Sequence, residues 1–337
     1  MHKPRFLVFL TLLLIILVSC ETDFDITSGW KDITVVYGMI DQSDSVHLIK
    51  INKAFLGNGN ALQYATIEDS SSYKGNLEVK LIEKRNGSIY NTIFFDTTSV
   101  YTKDSGLFYY PHQVLYKSNA QLSSEGVYSL NIRNKVTGKV ISATTPLIQD
   151  FSIDKPRPGA TAFEFKRSIT TEQNFSWVSA VNGKRYQITV RFFFKESSAP
   201  GDTVIRSVEW VQGTEKSEDA TGGQSMTDSY FNEKFFSTCI NQIPYADASK
   251  EAAVDTRQVL HVDFIFTVIG DEMNTYLEVN EPSNSVLQEK PEYTNITNGI
   301  GIFSCRFSKI RTKKLGESTE LDLIAIENLK FVKNPDN

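Results

Sequence analysis

Short runs of alternating apolar and polar residues recur along this chain, with turn-forming pairs between them. In "GVYSLNI" the apolar residues Tyr128, Leu130 and Ile132 take every second position, as they do on a strand with one buried face. The runs "LEVKLIEKR" and "SIYNTIFF" flank Asn86-Gly87. An Asn-Gly pair between two such runs is typical of a β-hairpin, because both residues tolerate positive φ. Short strands joined by turns predict an antiparallel sandwich.

We expect two β-rich domains after an N-terminal leader. Residues 31–149 are predicted to form an antiparallel β-sandwich of immunoglobulin-like or carboxypeptidase-regulatory-like type. Residues 150–337 are predicted to form a second β-rich domain with one or two inserted helices. The segment "DKPRPGA" near the boundary fits either a linker or a first turn. The last apolar segment, "TELDLIAIENLKFV", is predicted to be a strand that closes the second sheet.

Two segments of the second domain have a helical pattern. In "YFNEKFFSTCINQIPY", Phe231, Phe235 and Cys239 fall four residues apart, which places them on one face of a helix. Thr227 or Asp228 is a candidate N-cap, and the proline that follows ends the helix. The segment "DEMNTYLEVNE" is predicted to be a short helix.

The amino terminus begins with a basic segment and an apolar run that stops at a cysteine. Lys3 and Arg5 precede residues 6–18, which are apolar except for Thr11, and Cys20 follows closely. This order is typical of a bacterial secretory signal. Thirteen helical residues rise only about 20 Å, against about 30 Å for a hydrocarbon core. A permanent transmembrane helix is therefore not expected here.

The four residues Leu17 to Cys20 resemble the lipobox of bacterial lipoproteins. The resemblance implies that residues 1–19 are a signal peptide, that the Cys20 sulfur receives a diacylglycerol, and that the new amino terminus is acylated. Several acyl chains give stable anchoring, whereas one chain binds a membrane only marginally. The alternative is an ordinary secretory signal with a chance cysteine.

Residues 20–30 are predicted to be an acidic tether. Glu21, Asp23 and Asp25 directly follow the cysteine. They resemble the surface-export signal of Bacteroidetes lipoproteins, which implies display on the outer face of the outer membrane. The alternative is a solvated linker that happens to be acidic, on a protein held at the periplasmic leaflet.

Charge and cysteine content narrow the function further. Removal of Lys3 and Arg5 with the signal peptide changes the formal net charge from −5 to −7, which argues against nucleic acid as a partner.

Cys239 and Cys305 are the two cysteines besides Cys20. An exported protein can oxidise such a pair to one disulfide. The alternative is two separate buried thiols.

The sequence contains no recognisable catalytic or metal-binding motif. His47 and His261 lie in alternating runs, and no pair of histidines has the spacing of a helical zinc site. We therefore expect no catalytic residue, no metal and no cofactor. One candidate contact loop remains, "FYYPH", in which Tyr109, Tyr110 and His112 surround a proline. Aromatic rings with polar edges suit contacts with sugars or proteins.

The segment "EYTNITNGIGIFSC", from Glu292 to Cys305, is dense in asparagine and glycine. Its two glycines are predicted to permit positive φ in a tight turn before a buried strand. On that basis the motif serves the fold. Its residues are Asn295, Ile296, Asn298, Gly299, Gly301 and Phe303.

This segment resembles the "NI-x-NG-x-G-x-F" signature of a Bacteroidetes outer-membrane lipoprotein family known only as a domain of unknown function. Two other segments match the family: "VVYGMI", residues 35–40, and the strand pair in residues 126–145. The family usually has a small residue after the signature, where Ser304 and Cys305 stand here.

The resemblance implies an accessory role, because the family's genes commonly lie beside those for TonB-dependent outer-membrane receptors. We expect a non-enzymatic, lipid-anchored protein that binds such a β-barrel transporter or its nutrient cargo. One alternative is a glycan-binding surface lipoprotein that works alone. The other is a hydrolase, which would need paired carboxylates across a cleft.

Overall fold

The structure is a computed structural model. Strands hold 51 % of the described residues and helices 15 %, which confirms the prediction of a mostly β fold with a few helices. The described residues are 31–56, 61–101, 104–106, 109–198, 201–244, 254–281 and 292–335.

The described part of the first half contains strands and two short helices, the latter in a polar stretch that has a loop-like composition. In chain order these elements are β1 (Lys31–Ile40), β2 (His47–Leu56), α1 (Ala61–Ala65), α2 (Glu68–Ser71), β3 (Leu77–Arg85), β4 (Ser88–Val100), β5 (Gln113–Ser118), β6 (Val127–Asn134) and β7 (Val140–Pro146).

The second half adds further strands and three longer helices. Its elements are β8 (Ile153–Lys155), β9 (Ala162–Phe163), β10 (Gln173–Val178), β11 (Arg185–Ser198), β12 (Asp202–Lys216), β13 (Ser225–Tyr230), α3 (Asn232–Gln242), β14 (Val254–Ile269), α4 (Asp271–Asn280), β15 (Ile300–Leu315), α5 (Glu317–Ile324) and a 3-10 turn (Glu327–Leu329).

The first half folds as a two-layer arrangement that β4 connects. From Ser88 to Phe95, β4 pairs with β3, and from Asp96 to Val100 it pairs with β5. It therefore leaves one layer and enters the other. The hairpin of β3 and β4 turns at Asn86-Gly87, where both residues have positive φ, as the sequence predicts.

One long strand joins the two halves of the chain. Residues 300–305 of β15 pair in parallel with residues 35–40 of β1, and residues 306–313 pair antiparallel with β14. The large sheet thus runs in the order β12-β11-β14-β15-β1-β2-β5-β4-β3-β6-β7. The predicted domain boundary at 149/150 falls between β7 and β8, and its position stays a prediction. The sheet and the apolar core both continue across it.

The second half has an aromatic core between the large sheet and a three-stranded sheet in the order β13-β10-β8. Phe165 stacks on Phe235 of α3 with ring centroids 4.3 Å apart, and Phe175 stacks on Tyr230 at 4.3 Å. Offset stacking of this kind adds to the gain from burial. The core explains why this half is so rich in phenylalanine.

The helix predicted around Phe235 forms, but its predicted caps are wrong. Phe235 and Cys239 of α3 are buried as their spacing predicts. Thr227 and Asp228 lie in β13 instead, and the N-cap position, Phe231, makes no side-chain capping bond. Packing of the apolar face, not capping, therefore holds this helix.

The strand predicted at the carboxyl end is wrong, because "ESTELDLI" forms the helix α5. Its buried residues Thr319, Glu320 and Leu323 lie on one helical face. The Phe165 N–H donates to Thr319 Oγ1 at 2.7 Å, which fixes the helix against the aromatic core. The second predicted helix is confirmed as α4.

Candidate functional site

The residues predicted to anchor and export the protein lie outside the described residues. Cys20 therefore stays a predicted lipidation site, and Glu21, Asp23 and Asp25 stay a predicted export signal. Within the described ranges, no helix is long and apolar enough to cross a membrane.

The segment that contains the motif forms hydrogen bonds with the start of β15, on the side where β15 has no neighbouring strand. Asn295 Nδ2 donates to the Phe303 carbonyl at 2.6 Å, and the Phe303 N–H donates to Asn295 Oδ1 at 3.0 Å. Thr294 Oγ1 donates to the Gly301 carbonyl at 2.8 Å. These two side chains take the place of a neighbouring strand, because β14 pairs with β15 only from Arg306 onward.

The motif glycines allow β15 to approach β1. Gly301 has φ of +110°, and a Cβ there would overlap the Val36 carbonyl oxygen. A Cβ at Gly299 would lie 2.7 Å from the Thr34 carbonyl oxygen. Any side chain at these two positions would therefore push the paired strands apart.

The same segment also covers the edge of β7. Thr297 and Ser142 exchange two backbone hydrogen bonds, of 2.7 and 3.2 Å. Asn298 has φ of +61° and donates from Nδ2 to the Val140 carbonyl at 3.0 Å. Ile296 is buried between these contacts. The motif thus binds two sheet edges at once.

The three segments that carry the family resemblance meet at one place, where β15 pairs with β1 and residues 296–298 contact β7. This place is the joint between the two halves. Residues 35–40 pair with residues 300–305, and β7 belongs to the matched stretch 126–145. Phe303 is fully buried over Gly38, where a Cβ would lie 2.9 Å from its ring. These contacts give the motif a structural role. Gly301 has the positive φ that the sequence predicts, but the prediction is wrong for Gly299, because Asn298 takes the left-handed position beside it.

An open cleft of about 350 Å³ lies beside the joint and is the candidate binding site. Three tyrosines from different elements line it: Tyr37 of β1, Tyr276 of α4 and Tyr293 ahead of the motif. Tyr37 is 44 % exposed. Glu292 and Asn280 add a carboxylate and a carboxamide at the rim. Aromatic faces with a few polar groups suit a small polar ligand such as a sugar.

The pKa values of two cleft tyrosines, Tyr37 and Tyr293, are raised. Burial and the neighbouring Tyr276 hydroxyl raise the pKa of Tyr37 above its usual value. Burial, together with the Glu272 and Asp271 carboxylates, raises the pKa of Tyr293. Both hydroxyls therefore remain hydrogen-bond donors at neutral pH.

Sequence reasoning did not select these tyrosines, because they are far apart in the chain. The available signal was proximity to the matched segments. Tyr37 lies within "VVYGMI", and Tyr293 lies just ahead of the motif. Tyr276 lies in a helix, and nothing in its local sequence sets it apart.

The predicted contact loop exposes one of its two tyrosines. Tyr109 is half-buried and its ring meets the His112 ring edge-on, with centroids 5.4 Å apart. His112 Nε2 lies 3.2 Å from Glu68 Oε1 of α2. Tyr110 is 52 % exposed. The loop is therefore held against the first half, and Tyr110 is the ring that it exposes; the contact role stays a prediction.

Of the two states left open for the cysteines, the structure has separate thiols and not the disulfide. Cys239 and Cys305 are both free and buried. Cys239 lies on α3, whereas Cys305 lies on β15 opposite Ile40 at the joint. Burial raises the pKa of the Cys305 thiol to about 12 and that of Cys239 above its usual value. Both pack as small apolar side chains.

Two acids, the half-buried Glu272 and the buried Asp228, have raised pKa values. Glu272 Oε2 accepts hydrogen bonds from Thr145 Oγ1 and Ser304 Oγ, both at 3.2 Å, and burial raises its pKa. Both hydroxyl residues are fully buried, so the cluster ties β7, α4 and β15 together. Burial and the Glu215 carboxylate raise the pKa of Asp228 to about 6.

Among the described residues, no group of three or more His, Cys, Asp or Glu side chains could hold a metal ion. No family model matches the chain, and no curated protein matches its sequence.

Proposed function

We propose that the protein is a non-enzymatic, lipid-anchored protein of the cell envelope that works with a TonB-dependent outer-membrane transporter. The observation that carries the proposal is the apolar run that ends at Cys20, with an acidic segment directly behind it. The first strand begins at Lys31. The tether of residues 20–30 therefore spans at most about 40 Å, which keeps the folded body close to the membrane.

The transporter partnership rests on the resemblance to the lipoprotein family. It is tested by affinity purification of the tagged, full-length protein from detergent-solubilised outer membranes. We expect a β-barrel receptor to come with it in near-equal amount. A Cys20→Ala variant, which leaves the folded body unchanged, is the control for contacts that need the membrane. Recovery of the lipoprotein alone would contradict the partnership.

Surface display is the second part of this proposal. Replacing Glu21, Asp23 and Asp25 together by alanine should keep acylation but leave the protein on the inner leaflet. Added proteinase should then digest the wild-type protein on intact cells and spare the variant, with a periplasmic protein as leakage control. Equal digestion of both proteins would make the acidic segment a linker only. The fold should be unaffected, since a terminal tether contributes little to the core.

A second candidate function is glycan binding by the protein alone, which the tyrosine cleft favours. The test is binding of soluble oligosaccharides to the purified lipoprotein in detergent by calorimetry. Tyr276→Ala should abolish binding, because it removes one wall of the cleft. Tyr110→Ala, which removes an exposed ring elsewhere, should not change it. Equal losses in both variants, or no binding by the wild type, would rule out the cleft as a glycan site.

A further inference from the structure

A second open cleft, of about 460 Å³, is formed by the end of β8, the loop that follows it, β9 and the start of β10. We call it the β9 cleft. β9 pairs with β15 at Lys314 and Leu315, whereas the tyrosine cleft includes Gly301 near the start of β15. The path along β15 between the two clefts is roughly 40 Å. The residues that line the β9 cleft all lie in the ranges 109–198 and 201–244, which the structure describes without a gap.

The floor of the β9 cleft is the edge of the aromatic core. Phe163 lines the cleft and is half-buried. Its ring centroid lies 4.7 Å from that of Phe264 and 4.9 Å from that of Phe165. Tyr230, which also lines the cleft, stacks on Phe175. Because the core fixes both lining rings, the cleft has a preformed apolar surface for a flat or ring-shaped ligand.

The Tyr230 hydroxyl has no partner in the described part of the chain. The residue is only 7 % exposed. Burial alone raises its pKa above the usual value, because no hydrogen bond or charged side chain acts on the hydroxyl. A buried hydroxyl normally has a hydrogen-bond partner, and leaving it without one costs free energy. A ligand in the cleft would supply the missing acceptor.

The walls of the β9 cleft have an excess of positive charge. Lys155 Nζ donates to Asn174 Oδ1 at 2.9 Å, so its charge is oriented but not neutralised. Arg157 is exposed and has no hydrogen bond or ion pair with another described residue. Glu164 is the carboxylate in the lining, and Lys166 Nζ holds it at 2.6 Å. The two cations of the wall therefore remain available to an anion.

Two further cations lie directly behind the wall. Lys313 of β15 is only 6 % exposed, and its Nζ donates to the carbonyls of Pro158 and Ala160. Arg311 Nη1 donates to the Pro156 carbonyl at 3.1 Å. Burial and the neighbouring Arg311 lower the pKa of Lys313. A buried ammonium that is paired only with neutral carbonyls is costly, and an anion in the adjacent cleft would offset part of that cost.

We propose that the β9 cleft binds a small ring compound that carries one carboxylate, either a sugar acid or an aromatic acid. Arg157 and Lys155 hold the carboxylate through charge-assisted hydrogen bonds. The face of the ligand ring contacts Phe163, and the Tyr230 hydroxyl donates to a ligand oxygen. A single carboxylate fits better than a phosphate dianion, because Glu164 adds a negative charge to the same wall. This site goes beyond the proposed function and depends on neither the anchor nor the transporter.

The test is calorimetry on the purified full-length lipoprotein in detergent, with galacturonate against galactose and benzoate against benzyl alcohol. We expect at least one carboxylate to bind, and its neutral counterpart to bind at least about tenfold more weakly. Preference for galacturonate or for benzoate identifies the sugar acid or the aromatic acid as the ligand class.

Two variants test the assigned contacts. Arg157→Gln removes an exposed charge and should weaken binding of the carboxylate at least about tenfold. Tyr230→Phe keeps the stacked ring and removes only the hydroxyl, so it should weaken binding about fivefold without lowering the melting temperature. Arg133→Gln removes an exposed arginine of β6 and is the matched control for charge. It should bind as the wild type does, and so should Tyr276→Ala in the tyrosine cleft.

Three results would overturn the proposal: no carboxylate binds, Arg157→Gln and Arg133→Gln weaken binding equally, or Tyr276→Ala abolishes it. Sulfate that binds as tightly as the carboxylate, in wild type and Tyr230→Phe alike, would also overturn it, because the cleft would then attract anions in general. The receptor purification is independent of this test. If the receptor is not recovered while the carboxylate binds, the transporter partnership fails and the β9 cleft assignment stands.

Discussion

Replacing Asn295 with alanine should destabilise the joint between the two halves. The substitution removes both hydrogen bonds to Phe303, of 2.6 and 3.0 Å. Phe303 is fully buried, so one N–H and one carbonyl would be left without partners. An unpaired buried backbone group costs about 1–3 kcal/mol. For the two groups, the expected loss in the free energy of unfolding is therefore about 2–6 kcal/mol, a large share of typical stability.

The assay is equilibrium urea unfolding of the purified protein, followed by circular dichroism. Asn241→Ala is the matched control, because Asn241 is an exposed residue of α3. It should change the stability by less than about 0.5 kcal/mol. A loss below about 1 kcal/mol for Asn295→Ala would refute the view that its carboxamide replaces a strand.

Asn295→Asp makes the same argument more specific. The aspartate keeps the acceptor for the Phe303 N–H but places a carboxylate oxygen against the Phe303 carbonyl oxygen, where the amide now donates. At neutral pH it should be at least as destabilising as alanine. Protonation at low pH restores a donor, so the deficit relative to wild type should shrink there. A deficit independent of pH would contradict the assigned hydrogen bonds.

Three further predictions concern other parts of the structure. Gly301→Ala should lower the free energy of unfolding by at least about 3 kcal/mol in urea, because alanine is strained at this φ and its Cβ would overlap β1. Gly138→Ala is the control: Gly138 also has positive φ, but the space around it is open, so the loss should be about 1–2 kcal/mol. Asp228→Asn should match wild-type stability below pH 3.8 and exceed it above about pH 6, by up to about 3 kcal/mol. The folded wild-type protein binds the Asp228 proton more tightly than the unfolded chain does, so the wild type loses stability as the pH rises. Parallel profiles of unfolding free energy against pH for the two proteins would contradict the raised pKa. Cys239 and Cys305 should resist alkylation when folded and both react after unfolding without reductant, as mass spectrometry would show; a missing pair of adducts would reveal a disulfide.

Local signals predicted the local structure well. The turn at Asn86-Gly87, the buried face of α3 and the positive φ of Gly301 each depend on residues close together in sequence. The helix α5 was missed because a short apolar run fits a strand or a helix equally. Whether this segment forms a helix depends on the hydrogen bond between Thr319 and Phe165, which lie far apart in the chain.

The joint and the cleft were beyond local reasoning for the same reason. The parallel pairing of Val35 with Ile300 depends on the whole fold, and no periodicity encodes it. The resemblance picked out the segments that meet there but not their contact. The tyrosine cleft combines residues from β1, α4 and the motif, so its chemistry appears only once those elements are packed together.

The most direct test of the account is whether Cys20 carries the membrane anchor. Cells expressing the wild-type protein or Cys20→Ala are fed radiolabelled palmitate, and their outer membranes are separated by flotation. We expect the wild-type protein to take up label and float with the membrane, and the variant to do neither. Label on the Cys20→Ala protein, or its undiminished flotation with the membrane, would contradict the lipoprotein assignment on which the proposed function rests.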